Sequence, residues 1–540
     1  MSVTDTSISS TALFRRVREF IDGKQWTAAQ KALESLLQSE PQNVPLRIEL
    51  AAVILRQGRM RAATSQLLQA VPMLPNDVLT IIHLAWHLSI NGEIQGARAC
   101  LAHLGRAPDP PAEVLSEQAQ LHWMLGEISE ARTCMDRAVA QGVTTSSEYY
   151  LNAMLHQFTG RIAEAESVLL ACLQRWPRHG DSAIILANLR KQTLESNHLE
   201  LFRGSLAGMA TDSVAVRDKF SRAEFESATF KVHDDLGQRG EAWAALERSN
   251  ALMQEINLYD EAGESALTEA LIHCSDILAT LTTGSMPRFD GPIPIFIVGM
   301  PRSGTTLLDH MLSSHSDVVS AGEILDFQRQ FHWVTDVAPR GTEGMLAAIS
   351  RCEEVDFDFA ELGARYLKQT QWRAQGHRYY IDKLPINVRM VPFIRRALPQ
   401  ARILHMTRDP MDVCWSNLKM MSGMASPYCY EQHALAHYYS EYVRLTDHWR
   451  ASLPGVMFDV SYASLVNDPA ATLHQVLHHC GLEMEEDCLH PERNVAPVAT
   501  PSSVQVREAI HSRTLGQWRR YAAQLSPLQQ ALVDYGVRVD

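Results

Sequence analysis

The sequence predicts an α-α helical solenoid followed by an α/β domain of P-loop type with a central parallel sheet. Three observations carry this reading. Glycines and alanines recur with a 34-residue period through the N-terminal part, at Gly58, Gly92, Gly126 and Gly160. The apolar run Ile293–Gly299 leads into a glycine-containing loop and then a helical pattern. A second apolar run, Ala401–Thr407, ends in Arg408 and opens another helix. At 540 residues the chain exceeds what one core supports. The expected division is a solenoid over 1–215, a helical connector with a degenerate repeat over 216–288, and the α/β domain over 289–540.

Composition narrows the function classes. Apolar residues make up 46% and charged residues 21%, as in an ordinary soluble globular protein. A formal charge of −13 argues against broad binding to nucleic acid or an anionic membrane and leaves room for a local basic pocket. The nine cysteines form no CxxC pair, so neither a zinc knuckle nor a redox dithiol is indicated, and free thiols in a reducing compartment are expected. Met1 to Leu13 shows no basic segment followed by an apolar stretch, and no run of about 18 apolar residues occurs. The expectations are therefore no signal peptide, no membrane span and a cytoplasmic location. No metal-ligand cluster is expected, and oligomeric state is left open.

The repeat has a physical logic. Five residues after each glycine comes an alanine (Ala63, Ala97, Ala131, Ala165), and seven before comes another (Ala51, Ala85, Ala119, Ala153). Gly23 precedes the series by 35 residues, with Ala28 five residues on. Prolines recur near unit ends at Pro41, Pro75, Pro108 and Pro177. Small residues suit the contact between antiparallel helices, glycine closes the first helix of each pair, and proline stops the second. This pattern resembles the tetratricopeptide repeat, whose hairpins stack because each leaves an uncovered apolar face. Ala187 continues the phase into a partial sixth unit, and Gly237 with Ala242 suggests one more. Two roles are open for such an array: a concave surface that binds a protein or peptide partner, or a support for the second domain.

That domain opens with strand, loop and helix, an arrangement that points backbone N–H groups and a helix N-terminus at an anion. Gly299, Gly304 and Thr306 have Walker A spacing, but Thr305 occupies the lysine position. Arg302 stands inside the loop, where its guanidinium can fork onto a phosphate or sulfate.

"PRSGTT" after an apolar strand is similar to the 5'-phosphosulfate loop of sulfotransferases, above all the tyrosylprotein branch and the bacterial repeat-fused branch. The resemblance extends over roughly Pro292 to Leu532. It implies 3'-phosphoadenosine 5'-phosphosulfate as donor, held at the 5' end by Arg302, Ser303, Gly304, Thr305 and Thr306, and no metal. In "RDPMDVCWSNL", Arg408 and Ser416 resemble the family's clamp on the 3'-phosphate. Tyr462 matches a tyrosine beside the nucleotide, and Ser503 a serine on the 3'-phosphate. Where the tyrosylprotein branch has lysine before the final tryptophan, this chain has Gln517 before Trp518, and Arg513 is the favoured replacement over Arg507 or Arg519.

Sulfuryl transfer needs a base for the acceptor proton and cations for the charge that develops on the transferring and bridging oxygens. Glu323 in "SAGEIL" lies 21 residues after Arg302, the separation of the family's catalytic glutamate, although Ile324 stands where that branch has a second acid. His315 is the competing base. Lys383 in "YYIDKLPIN" resembles the lysine that contacts the bridging oxygen. The expected acceptor is a hydroxyl or phenol, with peptide tyrosine and carbohydrate among the candidates. Two other readings are a magnesium-dependent P-loop phosphotransferase, which lacks its Walker lysine here, and a non-catalytic repeat scaffold.

Overall fold

The computed structural model describes residues 3–106, 109–280, 289–354, 357–500 and 503–539. Pro108, the connector's end at 281–288 and Ser502 lie outside the described residues.

The repeats form helical hairpins: Val44–Arg56 with Met60–Ala70, Val78–Ile90 with Ile94–Leu104, Ala112–Met124 with Ile128–Gln141, and Ser146–Phe158 with Ile162–Arg175. Gly58, Gly92, Gly126 and Gly160 close the first helix of each pair at φ values of 78 to 87°. The residue after each donates back across the last turn, as in Glu93 N to Leu88 O and Arg161 N to His156 O, both at 2.9 Å. Left-handed glycine with this back-bond is the Schellman termination. In the first hairpin, Val3–Asp22 with Trp26–Ser39, the left-handed residue is Lys24 at φ 53°, not Gly23. Lys24 lies 34 residues before Gly58, so the true period holds and the 35-residue step to Gly23 was a one-residue offset. The alanines at 63, 97, 131 and 165 are at most 1% exposed, because neighbouring helices touch there. Gly237, at φ 76°, ends Val216–Asp235 in the same way before Arg239–Ile256.

The second half holds a five-stranded parallel sheet of order β2-β3-β1-β4-β5. The strands are β1 Ile293–Gly299, β2 Val318–Ser320, β3 Tyr379–Asp382, β4 Arg402–Thr407 and β5 Met457–Ser461. β1 is covered on both faces, as a parallel sheet requires. Phe296 and Val298 pack with Leu271, Phe327, Tyr366 and Ile394, whereas Ile295 and Ile297 pack with Leu308, Met311 and Leu473. The helix Glu261–Thr280 gives Leu267 and Leu271 to the first of these cores. β1 sits between β3 and β4, where the connections leave toward opposite edges. In open α/β sheets the crevice beyond the strand ends at such a point is where ligands bind.

The solenoid docks on this domain by its glycine turns. Gly58 O accepts from Ala338 N at 3.1 Å, and Gly92 O from Gln330 Nε2 at 2.8 Å. Leu125 O, beside Gly126, accepts from the buried Arg373. Phe158 O, just before Gly160, accepts from Val498 N at 3.0 Å and Arg507 Nη2 at 2.9 Å. Charged and aromatic contacts reinforce the line: Glu93 with Arg365 at 2.5 Å, Trp333 Nε1 donating to Thr64 Oγ1 at 2.9 Å, and Arg98 stacked 3.7 Å from the Trp372 ring. Four consecutive turns thus meet the sheet domain, one per repeat. The stretch 328–375, which carries no motif in sequence, supplies most of the opposing surface.

The first two of these turns differ in what surrounds them. A Cβ on Gly58 would meet nothing within 4 Å, whereas one on Gly92 would fall 2.8 Å from Gln330 Nε2 and 2.9 Å from Arg329 Cβ. Gly58→Ala is expected to cost about 1–2 kcal/mol through left-handed backbone alone. Gly92→Ala is expected to cost more, because it also pushes the docked helix away. Thermal melting of the two variants checks this, and equal losses would contradict docking at Gly92.

Candidate functional site

A single rule locates the site: each strand is followed, within three residues, by a chemically distinctive side chain. Arg302 follows β1, Glu323 follows β2, Lys383 follows β3, Arg408 follows β4 and Tyr462 follows β5. Because the strands are parallel, all five emerge at the same edge of the sheet.

The loop after β1 turns tightly. Gly299, Arg302 and Gly304 have φ of 147°, 69° and 107°. A Cβ on Gly299 would come within 2.7 Å of Met406 O, and one on Gly304 within 2.3 Å of the Tyr462 ring, so glycine is required at both. Arg302 adopts the left-handed conformation without that freedom, at a cost of roughly 1–2 kcal/mol. Such local strain clusters at functional sites. Asn417 Nδ2 holds the loop from β4's helix by donating to Pro301 O at 2.9 Å. The loop ends at the helix Thr305–Leu312, whose first N–H groups have no intrahelical acceptor. Ser303 Oγ is buried with no hydrogen-bond partner among the described residues.

Arg302 and Arg408 come together. Arg408 Nη1 donates to Arg302 O at 3.3 Å, Nη2 donates to Thr514 O at 2.7 Å, and the guanidinium lies 4.5 Å from the Tyr462 ring centre. Tyr462 is fixed by its hydroxyl, 2.7 Å from Thr514 Oγ1. Arg302 Nε donates to Ser416 Oγ at 3.4 Å, joining the first loop to the helix Pro410–Leu418. Asp409 caps that helix by accepting from Asp412 N at 2.8 Å. Burial, and then the adjacent Arg408 charge, lowers the Arg302 guanidinium from its usual range.

A third cation joins them. Lys419 lies three residues beyond Ser416, on the same helical face. Its ammonium donates to Gln517 Oε1 at 3.4 Å and lies 5.4 Å from the Trp415 ring. Burial, offset in part by Asp234 and reinforced by Arg302, Arg408 and Lys231, pushes it down to about 8. Lys231 and Asp234 belong to the helix Val216–Asp235, so the connector reaches this pocket. Trp415 is itself packed by Trp243 and Tyr521, with ring centroids at 6.3 and 4.8 Å. Lys419 was not singled out in the sequence. Its spacing from Ser416 is the signal that could have found it.

Two expectations are placed differently. Arg513 is 72% exposed and paired with Glu508 at 2.7 Å, so the cation beside Gln517 is Lys419 and not Arg513. Ser503 is buried, and its hydroxyl accepts from Gln157 of the solenoid at 3.1 Å. Thr305 and Thr306 are both buried at the head of their helix.

Glu323 and Lys383 form one unit. Lys383 Nζ donates to Glu323 Oε1 at 2.5 Å, with the lysine side chain fully buried and the glutamate 41% exposed. The backbones are tied as well: Lys383 N donates to Gly322 O, and Ala321 N to Ile381 O, both at 2.9 Å. His315 lies apart from this pair. Its Nε2 is 3.1 Å from Glu483 O and its Nδ1 accepts from Asp317 N at 3.0 Å, so the ring locks the end of its helix. Among the described residues, no group of three His, Cys, Asp or Glu side chains could hold a metal ion, and no helix is long and apolar enough to cross a membrane.

Comparison with known proteins bears on the domain. The sulfotransferase family model matches residues 294–486, and a tetratricopeptide repeat model matches residues 20–80. An uncharacterized protein of Aquifex aeolicus (strain VF5) is 27% identical over 319 residues, covering 57% of this chain and 41% of that protein. The chain thus spans less than half of that relative's length. A putative protein-tyrosine sulfotransferase of Caenorhabditis briggsae is 23% identical over 237 residues, 42% of this chain and 80% of the relative. Among solved structures, the sulfotransferase domain of the Synechococcus PCC 7002 olefin synthase aligns at 21% identity with a TM-score of 0.33, over 48% of this chain and all of that one.

The lowered lysine gives a pH signature. An anion that binds against Lys419 favours its charged form, so affinity is full below about pH 8 and falls as pH rises and the free protein loses that proton. Titration calorimetry with adenosine 3',5'-bisphosphate is expected to show this fall in the wild type and its absence in Lys419→Arg, whose guanidinium stays charged. A pH-independent affinity in the wild type would remove Lys419 from the pocket.

Proposed function

We propose that this chain, which carries a sulfotransferase-family domain over 294–486 together with tetratricopeptide repeats, transfers a sulfuryl group from 3'-phosphoadenosine 5'-phosphosulfate to a hydroxyl or phenol. One observation carries the reading. Arg302 and Arg408, from the ends of different strands, meet beside Ser416 and Lys419 at the edge of the sheet where Glu323 and Lys383 also stand. Cations gathered this closely call for an anion with more than one charge. A nucleotide with phosphate on both the 3' and the 5' oxygen of its ribose would present charge at two separate points, whereas ATP carries all of its charge on the 5' side.

The residues fit such a donor. The buried, unpartnered Ser303 hydroxyl and Arg408 Nε are polar groups that a phosphate oxygen would satisfy. In this reading Arg302, with Ser303, Gly304, Thr305 and Thr306, holds the 5' end. Arg408, Ser416 and Lys419 hold the 3'-phosphate, and Tyr462 fixes Arg408 by stacking. When bound, the donor supplies the sulfuryl group, whose bond to the bridging oxygen breaks as the acceptor oxygen bonds to sulfur. Glu323 takes the acceptor's proton. Lys383 neutralises the charge left on the bridging oxygen. In the free protein these two side chains neutralise each other. Turnover therefore separates them, which the glutamate's exposure permits.

The acceptor class follows from what the base can reach: peptide tyrosine and carbohydrate hydroxyls both present a removable proton, and the likeness to a protein named as a putative protein-tyrosine sulfotransferase favours the former. The magnesium-dependent alternative lacks support at its decisive position, where buried Thr305 stands in place of a cation. For the solenoid, the four docked turns favour a supporting role, and a protein partner would meet the faces that docking leaves open.

Arg302→Ala and Arg408→Ala are each expected to lose affinity for adenosine 3',5'-bisphosphate in calorimetry, whereas Glu323→Gln keeps it. Glu323→Gln is expected to lose turnover by about 10²- to 10⁴-fold, the usual worth of a positioned general base. Wild-type affinity in both arginine variants would overturn the donor assignment.

A further inference from the structure

Behind the Glu323–Lys383 pair lies a carboxylate that the scheme above leaves without a task. Asp309 projects from the helix Thr305–Leu312 and is only 6% exposed. Among the apolar residues of "LLDHML" it is out of place as core, and the loop it follows does not need it for capping. Its two oxygens have different fates. Oδ2 accepts from Ser320 Oγ at 3.0 Å. Oδ1 is buried with no hydrogen-bond partner among the described residues. A carboxylate left half-satisfied in the interior costs free energy unless a nearby charge compensates it.

The compensation comes from Lys383. Its charge acts on Asp309, opposing the effect of burial, which raises this carboxyl to about 6. Lys383 is fully buried, and its one exposed partner is Glu323. Its other acidic neighbour, Asp382, is fully buried, engaged by Tyr366 and Asn387, and held well above the usual carboxylate range by that burial. Lys383 is thus ion-paired with the half-exposed Glu323, while its charge also acts on the buried Asp309.

Asp309 also reaches Glu323 through the backbone. Ser320 Oγ, which donates to Asp309, accepts from Gly322 N at 3.1 Å. Gly322 O in turn accepts from Lys383 N at 2.9 Å. The turn that carries Glu323 is thus held from both of its peptide groups, one by Asp309 through a serine hydroxyl and the other by the backbone of the lysine itself. Gly322 sits at φ 74°, so this turn has a defined shape to preserve.

We propose that Asp309 is a positioning residue: through Ser320 it fixes the turn bearing Glu323, and it is the standing counter-charge of Lys383 once Glu323 has taken a proton. The logic is one of charge balance across the catalytic step. Before transfer, Glu323 and Asp309 together face Lys383. After Glu323 accepts the acceptor's proton it is neutral and gives the lysine no electrostatic support. Lys383 then faces the charge appearing on the leaving oxygen without its ion-pair partner, and Asp309 is the buried carboxylate still acting on it. This inference rests on the sulfuryl-transfer reading and adds a residue to it.

Steady-state kinetics and a double-mutant cycle test the role. Asp309→Asn, which keeps shape and removes charge, is expected to lower kcat by about 100-fold, the cost of misplacing reacting groups by about an ångström. Affinity for adenosine 3',5'-bisphosphate and KM for the donor are expected to change less than about twofold, since Asp309 does not touch the phosphate loop's anion-facing groups. Asp309→Glu should recover part of kcat. Ser320→Ala, which cuts the link to Gly322 and leaves the charge, should fall between. In the background of Glu323→Gln, Asp309→Asn should add little, because it acts through that side chain and its lysine. The proposal is overturned if Asp309→Asn turns over within about twofold of wild type, or if its effect and that of Glu323→Gln simply multiply. A wild-type protein that transfers label to an acceptor while Asp309→Asn is indistinguishable from it sinks this inference alone. A wild-type protein that binds no bisphosphate nucleotide and transfers no label sinks the functional reading and this inference with it.

Discussion

Mutual repulsion among cations at one edge of the sheet is the constraint around which this structure is organised. Arg302, Arg408 and Lys419 are drawn together in partly desolvated surroundings, with Lys231 behind them and Asp234 as the opposing charge. Two like charges about 6 Å apart at an effective dielectric of 20 repel by about 3 kcal/mol. A fold tolerates that only if other contacts enforce it. Here the enforcement is visible: Asn417 grips the loop at Pro301, Tyr462 and Thr514 brace Arg408, and Trp415 is wedged by Trp243 and Tyr521 beside Lys419. The strain of a left-handed arginine belongs to the same account. Under the proposed sulfuryl-transfer reading these costs are preorganisation, because a multiply charged donor would relieve the repulsion it meets there.

The second organising feature is how the solenoid is attached. Repeat arrays usually leave their turn edge to solvent. In this chain the turns at Gly58, Gly92, Gly126 and Gly160 are tied by hydrogen bonds to 328–375 and the C-terminal segment. The helix Asp326–Thr335 is gripped from Gly92 through Gln330 and from Thr64 through Trp333. It begins three residues after Glu323. The solenoid therefore holds the element next to the candidate base, and its geometry and that of the site are mechanically continuous. Displacement of one hairpin would be felt at the turn carrying Glu323 through a chain of hydrogen bonds rather than through a flexible linker.

Particular residues show where sequence reasoning reached and where it stopped. The 34-residue period, the strand-loop-helix at 293–312 and the strand-ending arginine at 408 are local patterns, and each is found as an element of the structure. Even the misfit at Gly23 was local: Lys24 takes the left-handed position and keeps the period. Arg513 lies elsewhere than the sequence suggests, for a physical reason. Three arginines near the final tryptophan are equivalent in sequence, and only folding pairs one of them with Glu508 at the surface. Lys419 escaped notice because a lysine at a helix C-terminus is ordinary in sequence. Asp309 looked like one polar residue in an apolar helix until β2 and β3 brought Ser320 and Lys383 to it.

The chain's sequence by itself determined the two architectures, their order and the positions of the strand-to-loop motifs, because periodicity, turn glycines and strand-to-helix transitions depend on neighbours within a few residues. The tertiary structure alone decided which cations share a pocket, that Glu323 and Lys383 neutralise each other, and that the repeats clasp the sheet domain by their turns. Those outcomes depend on packing between segments hundreds of residues apart, where burial and distance set the charge balance and no local pattern records the partner.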